Sequence, residues 1–225
     1  MKSQKGKQFA LRCVECVAGL FIMAFGVALT KRAELGISPI SSVPNVLSYL
    51  SLTVGTWMVI WNSILIVGQI LVLRKNFKVY QLLQLPMSFI FGAFLDLGVW
   101  CVQVIPADRY WMRIVLVLVG VVIVALGIAM TVHADVIMNS GDALTKAIAA
   151  TSKKNFGNVK VAFDVSCVVL SVILSLIFFH GRIVGTREGT VITALCTGPV
   201  IRVFLRMFTR HEQKEAVSDG QPAHT

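Results

Sequence analysis

Six apolar stretches of about twenty residues divide the chain, and each is long enough to cross a lipid bilayer as an α-helix. They occupy residues 11–30, 55–73, 79–101, 111–133, 159–180 and 190–208. The bilayer offers the backbone no hydrogen-bond partners, so each stretch must satisfy its own amides by forming a helix. Charged residues make up 14% of the chain, against about 25% in soluble domains. The pattern predicts an all-α, polytopic membrane protein with six transmembrane helices.

The segment 24–39 has a counterpart at 125–140, in which matching residues recur at a constant distance. The matching pairs at an offset of 101 are Ala24 and Ala125, Gly26 and Gly127, Ala28 and Ala129, and Thr30 and Thr131. The correspondence continues along both halves, and the offset reaches 106 in the last span. We interpret it as an internal duplication of a three-span unit. The predicted organisation is a basic N-terminus at 1–10, repeats at 11–105 and 106–208, and a polar, disordered tail at 209–225.

The number of spans in each repeat decides how the two repeats are oriented. Three is an odd number, so the second repeat must begin on the opposite side of the membrane from the first. The basic residues test this independently, because they are enriched on the cytoplasmic side of membrane proteins. Fifteen of the twenty-one Lys and Arg residues, Lys160 among them, fall on the side of both termini. We therefore predict two inverted repeats with both termini in the cytoplasm.

A short segment follows the first span of each repeat, at 38–51 and 139–151. Both are too short to span, and Gly36, Pro39 and Pro44 prevent a continuous helix through the first. Each is predicted to be a short helix that is either re-entrant or interfacial, and the sequence leaves both readings open. A half-helix ending inside the membrane presents unpaired N–H groups and a partial positive charge, which suit the binding of a solute.

Polar residues inside or beside the spans are the candidates for a substrate site. Asn62 and Asp164 occupy corresponding positions in the two repeats, while Ser38 and Asp142 begin the two short segments. An aspartate within a membrane helix is costly unless it has a partner, a proton or water. Asp164 is therefore a candidate proton-coupling group, and a structural hydrogen bond to a neighbouring helix is the alternative.

Asp96 and Arg202 form a second corresponding pair, one acidic and one basic. They are candidates for an ion pair or a gate, although Arg202 could also mark the cytoplasmic end of its helix. Two other polar residues receive structural interpretations. Glu15 is expected to reach the headgroups with Arg12 as its partner, and His133 is expected to be solvated at a helix end.

Several classes of function are not supported by any motif. The sequence contains no nucleophile elbow, phosphate-binding loop or zinc-protease motif, so an enzyme is not expected and no cofactor or metal is predicted. The five cysteines include Cys13 and Cys16 at a CxxC spacing, but no second pair accompanies them. The net charge of +10 is carried by loops between apolar spans, which favours anionic lipid rather than nucleic acid as the partner.

Short motifs in a fixed order resemble those of the YczE/YyaS/YitT-like integral membrane proteins of bacteria. The motifs are LGISP at 35–39, GDAL at 141–144, FDV at 163–165, GTREGT at 185–190 and ALxxGP at 194–199. The resemblance covers about residues 19–208 and implies a multi-pass protein of the bacterial cell (inner) membrane. The family is largely uncharacterised, so the resemblance implies no substrate and no functional residues. The second half departs from the pattern, since 136–140 lacks the Gly and Pro of LGISP.

The leading hypothesis is a transporter or exporter of a small polar or anionic solute, with its site between the two repeats. The alternatives are a non-transporting accessory or assembly protein and a passive channel. The expected partners are the lipid bilayer and an unknown small solute. A second copy of the chain or another membrane protein is a further partner that the sequence leaves open.

Overall fold

The computed structural model describes residues 2–134, 136, 138–154, 156–185 and 187–218. These residues form eight α-helices and no strand. The helices are α1 (Lys2–Arg32), α2 (Pro39–Ser48), α3 (Val54–Leu73), α4 (Gln84–Val102), α5 (Tyr110–Ala134), α6 (Ser140–Ser152), α7 (Phe156–Phe178) and α8 (Glu188–Ser218). Two 3₁₀ turns, Arg74–Asn76 and Val79–Leu83, join α3 to α4.

The six long helices α1, α3, α4, α5, α7 and α8 are each long and apolar enough to cross a membrane. The predicted six-span helical architecture is therefore confirmed at this level. The predicted disordered tail differs from the structure, because α8 continues without a break to Ser218. Residues 209–218 thus extend the last helix, and 219–225 lie outside the described part of the chain.

The short helices α2 and α6, called half-helices below, lie inside the bundle. Every residue from Pro39 to Val46 in α2 is buried, as are those from Ser140 to Thr145 in α6. Each half-helix packs against both α3 and α7. An interfacial helix would leave one polar face in the headgroup region. The extent of burial instead favours segments that enter the bundle, the first of the two alternatives that the sequence left open.

Glycines bring α1 and α5 into close backbone contact. A Cβ on Gly127 would lie 2.6 Å from the carbonyl oxygen of Gly19, and one on Gly120 would lie 3.0 Å from that of Gly26. Early residues of α1 therefore meet late residues of α5, so the two helices run antiparallel. Small residues at such a crossing allow the close packing that holds membrane helices together. Gly19 and Gly120 correspond under the offset of 101, as do Gly26 and Gly127.

The helix pairs of one half recur in the other. The pair α1–α4 corresponds to α5–α8, α2–α3 to α6–α7, α3–α4 to α7–α8, and α2–α7 to α6–α3. One pair differs strongly between the halves. Helices α3 and α4 pack closely through Gly55 and Gly92, whereas α7 and α8 meet over a much smaller surface. The site corresponding to Gly92 is Gly198, where a Cβ would meet no atom within 4 Å.

We predict that Gly127→Ala lowers the free energy of unfolding by about 1–3 kcal/mol, because the added methyl would overlap the backbone of α1. Gly198→Ala is the matched control, since its methyl meets open space. Thermal unfolding of the purified protein in mild detergent, followed by size-exclusion chromatography, measures the difference. Equal melting temperatures for both variants would contradict the close α1–α5 packing.

Candidate functional site

Three ionisable side chains form a buried cluster in the centre of the molecule, called the triad below. The ammonium nitrogen of Lys160 lies 2.8 Å from Oδ1 of Asp164 and 3.2 Å from Oδ1 of Asp142. Lys160 and Asp164 are one turn apart on α7, while Asp142 stands in the first turn of α6. The three side chains are 13%, 9% and 6% exposed, in the order Lys160, Asp164 and Asp142. One ammonium group is therefore shared by two carboxylates away from solvent.

The N-termini of the two half-helices meet at the triad. A cavity of about 30 Å³ is lined there by Ser38, Ser41 and Asn139 together with the triad. A Cβ on Gly141 would lie 2.8 Å from the Ile40 side chain, so the two helix ends are close to each other. Neither N-cap residue, Ser38 or Asn139, caps its helix through a side-chain hydrogen bond. The cavity has room for about two water molecules and not for a larger solute.

The charges in this region nearly balance when all three side chains are ionised. Two carboxylates and one ammonium leave one excess negative charge on the triad. Each helix N-terminus carries the equivalent of about half a positive charge from its aligned peptide dipoles. Two such ends together offset about one negative charge. The addition of a single proton, cation or anion would therefore change the net charge of this region from about zero.

A larger cavity of about 600 Å³ extends from the triad between α5, α6, α7 and α8. Its lining includes the apolar side chains of Ile128, Val132 and Leu195. Two basic residues also line it: Lys146, one turn from Asp142 on α6, and Arg202 on α8. Its lining also reaches Asn158, so it extends toward the end of the bundle where α7 begins. The volume lies within the range of roughly 300–1,000 Å³ that is usual for small-molecule sites.

A separate cavity of about 380 Å³ lies at the same end, between α6 and the start of α4. Gln69 and Gln84 line it, and both are almost completely buried. The carbonyl oxygen of each side-chain amide has no hydrogen-bond partner among the described residues. Buried polar atoms are usually paired, so these two acceptors need a donor that this arrangement does not supply. Val136 and Met138, from the loop between α5 and α6, complete the lining.

The opposite end of the bundle is closed by hydrogen bonds between the α1–α2 loop and the start of α8. The amide of Gly189 donates to the carbonyl oxygen of Leu35 at 2.7 Å, and the amide of Ile37 donates to the Thr190 hydroxyl at 3.2 Å. Gly36 has a φ of +119°, a conformation that glycine adopts without strain. A side chain at this position would also collide with Thr190.

Polar side chains reinforce this closed end. Arg113 forms an ion pair with Glu34 at 3.0 Å. Lys31 donates to the Asn45 side chain at 2.8 Å, and the amide of that side chain donates to the carbonyl oxygen of Gly185 at 3.0 Å. These bonds connect α1, α2, α5 and the α7–α8 loop. The cavity that extends from the triad and the cavity lined by Gln69 and Gln84 therefore lie at one end of the bundle, and a hydrogen-bonded closure lies at the other.

The structure brings together three of the four predicted substrate-site residues, since Ser38, Asp142 and Asp164 all line the central cavity. Asn62 is fully buried on α3, and neither polar atom of its amide has a partner among the described residues. It does not line the central cavity. Asn62 is thus buried as Asp164 is, but without an ionic partner among the described residues.

Asp96 and Arg202 are not brought together. The Asp96 carboxylate accepts hydrogen bonds from the Thr53 hydroxyl at 2.6 Å and from the Gly55 amide at 2.8 Å, so it caps the N-terminus of α3. Arg202 lines the larger cavity at the other end of the bundle. The two side chains form no ion pair among the residues that the structure describes. Asp96 therefore has a structural contact, and Arg202 alone stays beside the candidate site.

Lys160 is the site residue that sequence reasoning missed. Its place near a span end groups it with the basic residues of the cytoplasmic loops, but the structure buries it in the triad. Its spacing of four residues from Asp164 is the available signal, because such pairs share one face of a helix. A second correction concerns Glu15, whose carboxylate lies 2.9 Å from Nδ1 of His133 and not beside Arg12.

Six apolar helices around two buried half-helices and a central ionised cluster define a multi-pass helical membrane protein in contact with the lipid bilayer. The chain belongs to a family described as a family of unknown function, DUF6198, whose model matches residues 10–206. This agrees with the resemblance to YczE- and YyaS-like proteins that the sequence motifs indicated.

Two relatives from Bacillus subtilis (strain 168) are similar to the chain over most of its length. The uncharacterized protein YyaS is 29% identical over 195 residues, which cover 86% of this chain and 92% of the relative. The uncharacterized membrane protein YczE is 29% identical over 202 residues, which cover 88% of this chain and 87% of the relative. No solved structure matches the chain.

We predict that Lys160→Met lowers the free energy of unfolding by about 3–5 kcal/mol, because two buried carboxylates lose their shared counter-ion. Asp164→Asn is expected to cost less, since Lys160 and Asp142 then form a balanced pair. The solvent-exposed Lys146→Met serves as the matched control and is expected to be nearly neutral. Thermal unfolding in detergent ranks the three variants. A Lys160→Met protein at least as stable as Asp164→Asn would contradict the ionic description of the triad.

Proposed function

We propose that this protein is a secondary transporter of a small polar or anionic solute, which works by alternating access between two inverted repeats. The observation that carries the proposal is the triad at the meeting point of two half-helix N-termini, with cavities on one side of it and a closure on the other. Interrupted helices whose ends meet in the middle of the bundle are typical of such transporters. No catalysis and no cofactor are part of the proposal.

The inverted arrangement of the repeats is supported by the α1–α5 contact. These helices run antiparallel, and the pair Gly19–Gly127 maps onto the pair Gly120–Gly26 when the halves are exchanged. A twofold relation between two inverted units would produce this self-matching contact. The other contacts between helices also recur when the two halves are exchanged, which agrees with this twofold relation.

The charge distribution supports an orientation with both termini in the cytoplasm of a bacterial cell. When the buried Lys160 is left out, fourteen basic residues remain on the side of the termini and six lie on the other side. This excess still follows the positive-inside tendency. In that orientation the cavities face the cytoplasm, because α1 and α7 begin and α8 ends on that side. The hydrogen-bonded closure then faces outward.

The register of the repeats suggests what the second conformation looks like. On the closed side, Gly189 binds Leu35 and Thr190 binds Ile37. The corresponding pairs are Leu83 with Val136, and Gln84 with Met138. Gln84, Val136 and Met138 instead line an open cavity, and the Gln84 carbonyl oxygen has no partner among the described residues. We infer that the Met138 amide binds Gln84 when the cytoplasmic side closes.

The triad is suited to couple this exchange to a proton. Protonation of Asp164 would leave Lys160 and Asp142 as a balanced pair and would release Asp164 from its ionic bond. A change of one charge at a buried site favours one conformation only if the two conformations bind that charge differently. The triad lies between the moving half-helices, so the two conformations would differ there.

A non-transporting accessory role is the second candidate, and the exposure of α8 favours it. Only 11% of the most apolar segment of α8 is buried inside the molecule. Such a helix could pack against another membrane protein as well as against lipid. Isolation of a stoichiometric membrane partner, together with a rigid closure at the outer side, would favour this role. A passive channel is disfavoured by the closed end.

A double-cysteine variant tests alternating access without knowledge of the substrate. In a background lacking the five native cysteines, Gln84→Cys with Met138→Cys is expected to form a disulfide under mild oxidation. Hydrogen exchange of the Ile37 and Gly189 amides is then expected to accelerate, because closure of one side opens the other. Reduction of the disulfide provides the control and should restore slow exchange.

Two results would contradict alternating access. One is that the two thiols introduced at positions 84 and 138 fail to cross-link. That result would mean that no second conformation brings these two positions together. The other is a cross-linked protein in which the Ile37 and Gly189 amides exchange as slowly as in the reduced protein.

A further inference from the structure

The larger cavity is elongated along α8. Its lining on that helix runs from Ala194 to Leu205, with Thr197 beside the triad and Arg202 farther along. Thr197 and Arg202 are five positions apart, which corresponds to about 7.5 Å of helix. The volume is about 600 Å³. The cavity can therefore hold an extended molecule whose two ends meet different chemical groups.

The end beside the triad favours a positive group. Asp142 and Asp164 share only the ammonium of Lys160, so the three side chains carry one excess negative charge, which only the partial charges of the two helix N-termini offset. A ligand ammonium could donate to these carboxylates as the Lys160 ammonium already does. Carboxylate–ammonium hydrogen bonds are stronger than neutral ones, especially when they are sheltered from water.

The other end of the same cavity favours a negative group. Arg202 lines it there, farther along α8 than Thr197, and it forms no ion pair with any residue in the described part of the chain. A guanidinium presents a planar set of donors that matches a carboxylate or phosphate. The two ends of the cavity thus differ in the sign of the charge that they bind.

The walls between the two ends are apolar. Ile128, Val132, Leu195 and Ile201 supply side chains that cannot form hydrogen bonds. A polar linker would lose its hydrogen bonds to water without replacement, which is costly. A short hydrocarbon linker would instead gain from leaving water.

We propose that this cavity binds an elongated zwitterion, whose ammonium group contacts Asp142 and Asp164 and whose anionic group contacts Arg202, with an apolar linker between them. This inference rests on the proposed transport function and specifies the chemical class of its solute. The probe for it is 6-aminohexanoate, whose extended chain of five methylene groups spans a distance comparable to the rise of α8 between Thr197 and Arg202.

Binding is measured with the full-length protein in lipid nanodiscs, using 6-aminohexanoate, hexylamine and hexanoate as a series of equal chain length. The zwitterion is expected to bind at least about tenfold more tightly than either singly charged probe, because each charged end contributes hydrogen bonds to an ionised group. Saturable displacement of radiolabelled 6-aminohexanoate gives the three affinities.

Two charge-removing variants assign the orientation of the probe. Arg202→Gln is expected to reduce binding of 6-aminohexanoate to the level of hexylamine, with hexylamine binding retained as proof of a folded site. Asp164→Asn is expected to reduce it to the level of hexanoate. If both variants weakened the binding of all three probes by the same factor, the assignment of the ammonium and the anionic group to opposite ends of the cavity would be overturned.

Other outcomes separate this inference from the proposed function. Equal affinities for the zwitterion and either single-charge probe would overturn the inference, as would the absence of saturable binding. If the double-cysteine experiment then still showed linked opening and closing, the transporter proposal would stand with a different solute. If that experiment failed while the zwitterion bound as expected, the binding site would stand without transport.

Discussion

The contact on which the rest of the site depends is the sharing of the Lys160 ammonium by Asp142 and Asp164. A single charged side chain in the middle of a membrane helix costs about 2.5–3.5 kcal/mol or more. Together the three groups satisfy most of one another's charge, which lowers the cost of burying them. Because Asp142 stands on α6 and the other two stand on α7, the cluster also fixes the N-terminus of α6 in the centre of the bundle. The closely approaching end of α2 then completes the central cavity.

The two halves share a plan but differ in chemistry. Under the repeat offsets, the positions of Asp142, Lys160 and Asp164 correspond to Ser41, Met58 and Asn62. Only the second half therefore carries charge at the centre. The halves also differ in packing, since α3 and α4 are in close contact whereas α7 and α8 meet over a much smaller surface. In the proposed alternating-access mechanism, each half would adopt the arrangement of the other when the open side changes.

Much of the fold could be predicted because its determinants are local. The lengths of the apolar stretches indicated six helices, and the repeat offset indicated that Asn62 and Asp164 occupy corresponding positions. The interactions of individual charges could not be predicted in the same way. Because Lys160 lies near the end of a span, counting charges at span ends groups it with the loop residues. Its partners become evident only from the packing of α6 against α7. Asp96 looks like half of an ion pair, but the nearby N-terminus of α3 supplies donors that its carboxylate binds instead. The small contact surface between α7 and α8 has no sequence signal, since the corresponding helices α3 and α4 pack closely.

The most direct measurement is the accessibility of single cysteines placed along the two half-helices, in a background without the native cysteines. A membrane-impermeant thiol reagent is applied to each side of sealed, oriented vesicles, with positions from Ser41 to Tyr49 in one series and from Leu144 to Ser152 in the other. We predict labelling from outside at the Tyr49 end and from inside at the Ser152 end, with both signals fading toward the N-termini that meet at the triad. Labelling of both helices from the same side, or uniform labelling along each helix, would contradict two inverted half-helices that meet in the centre.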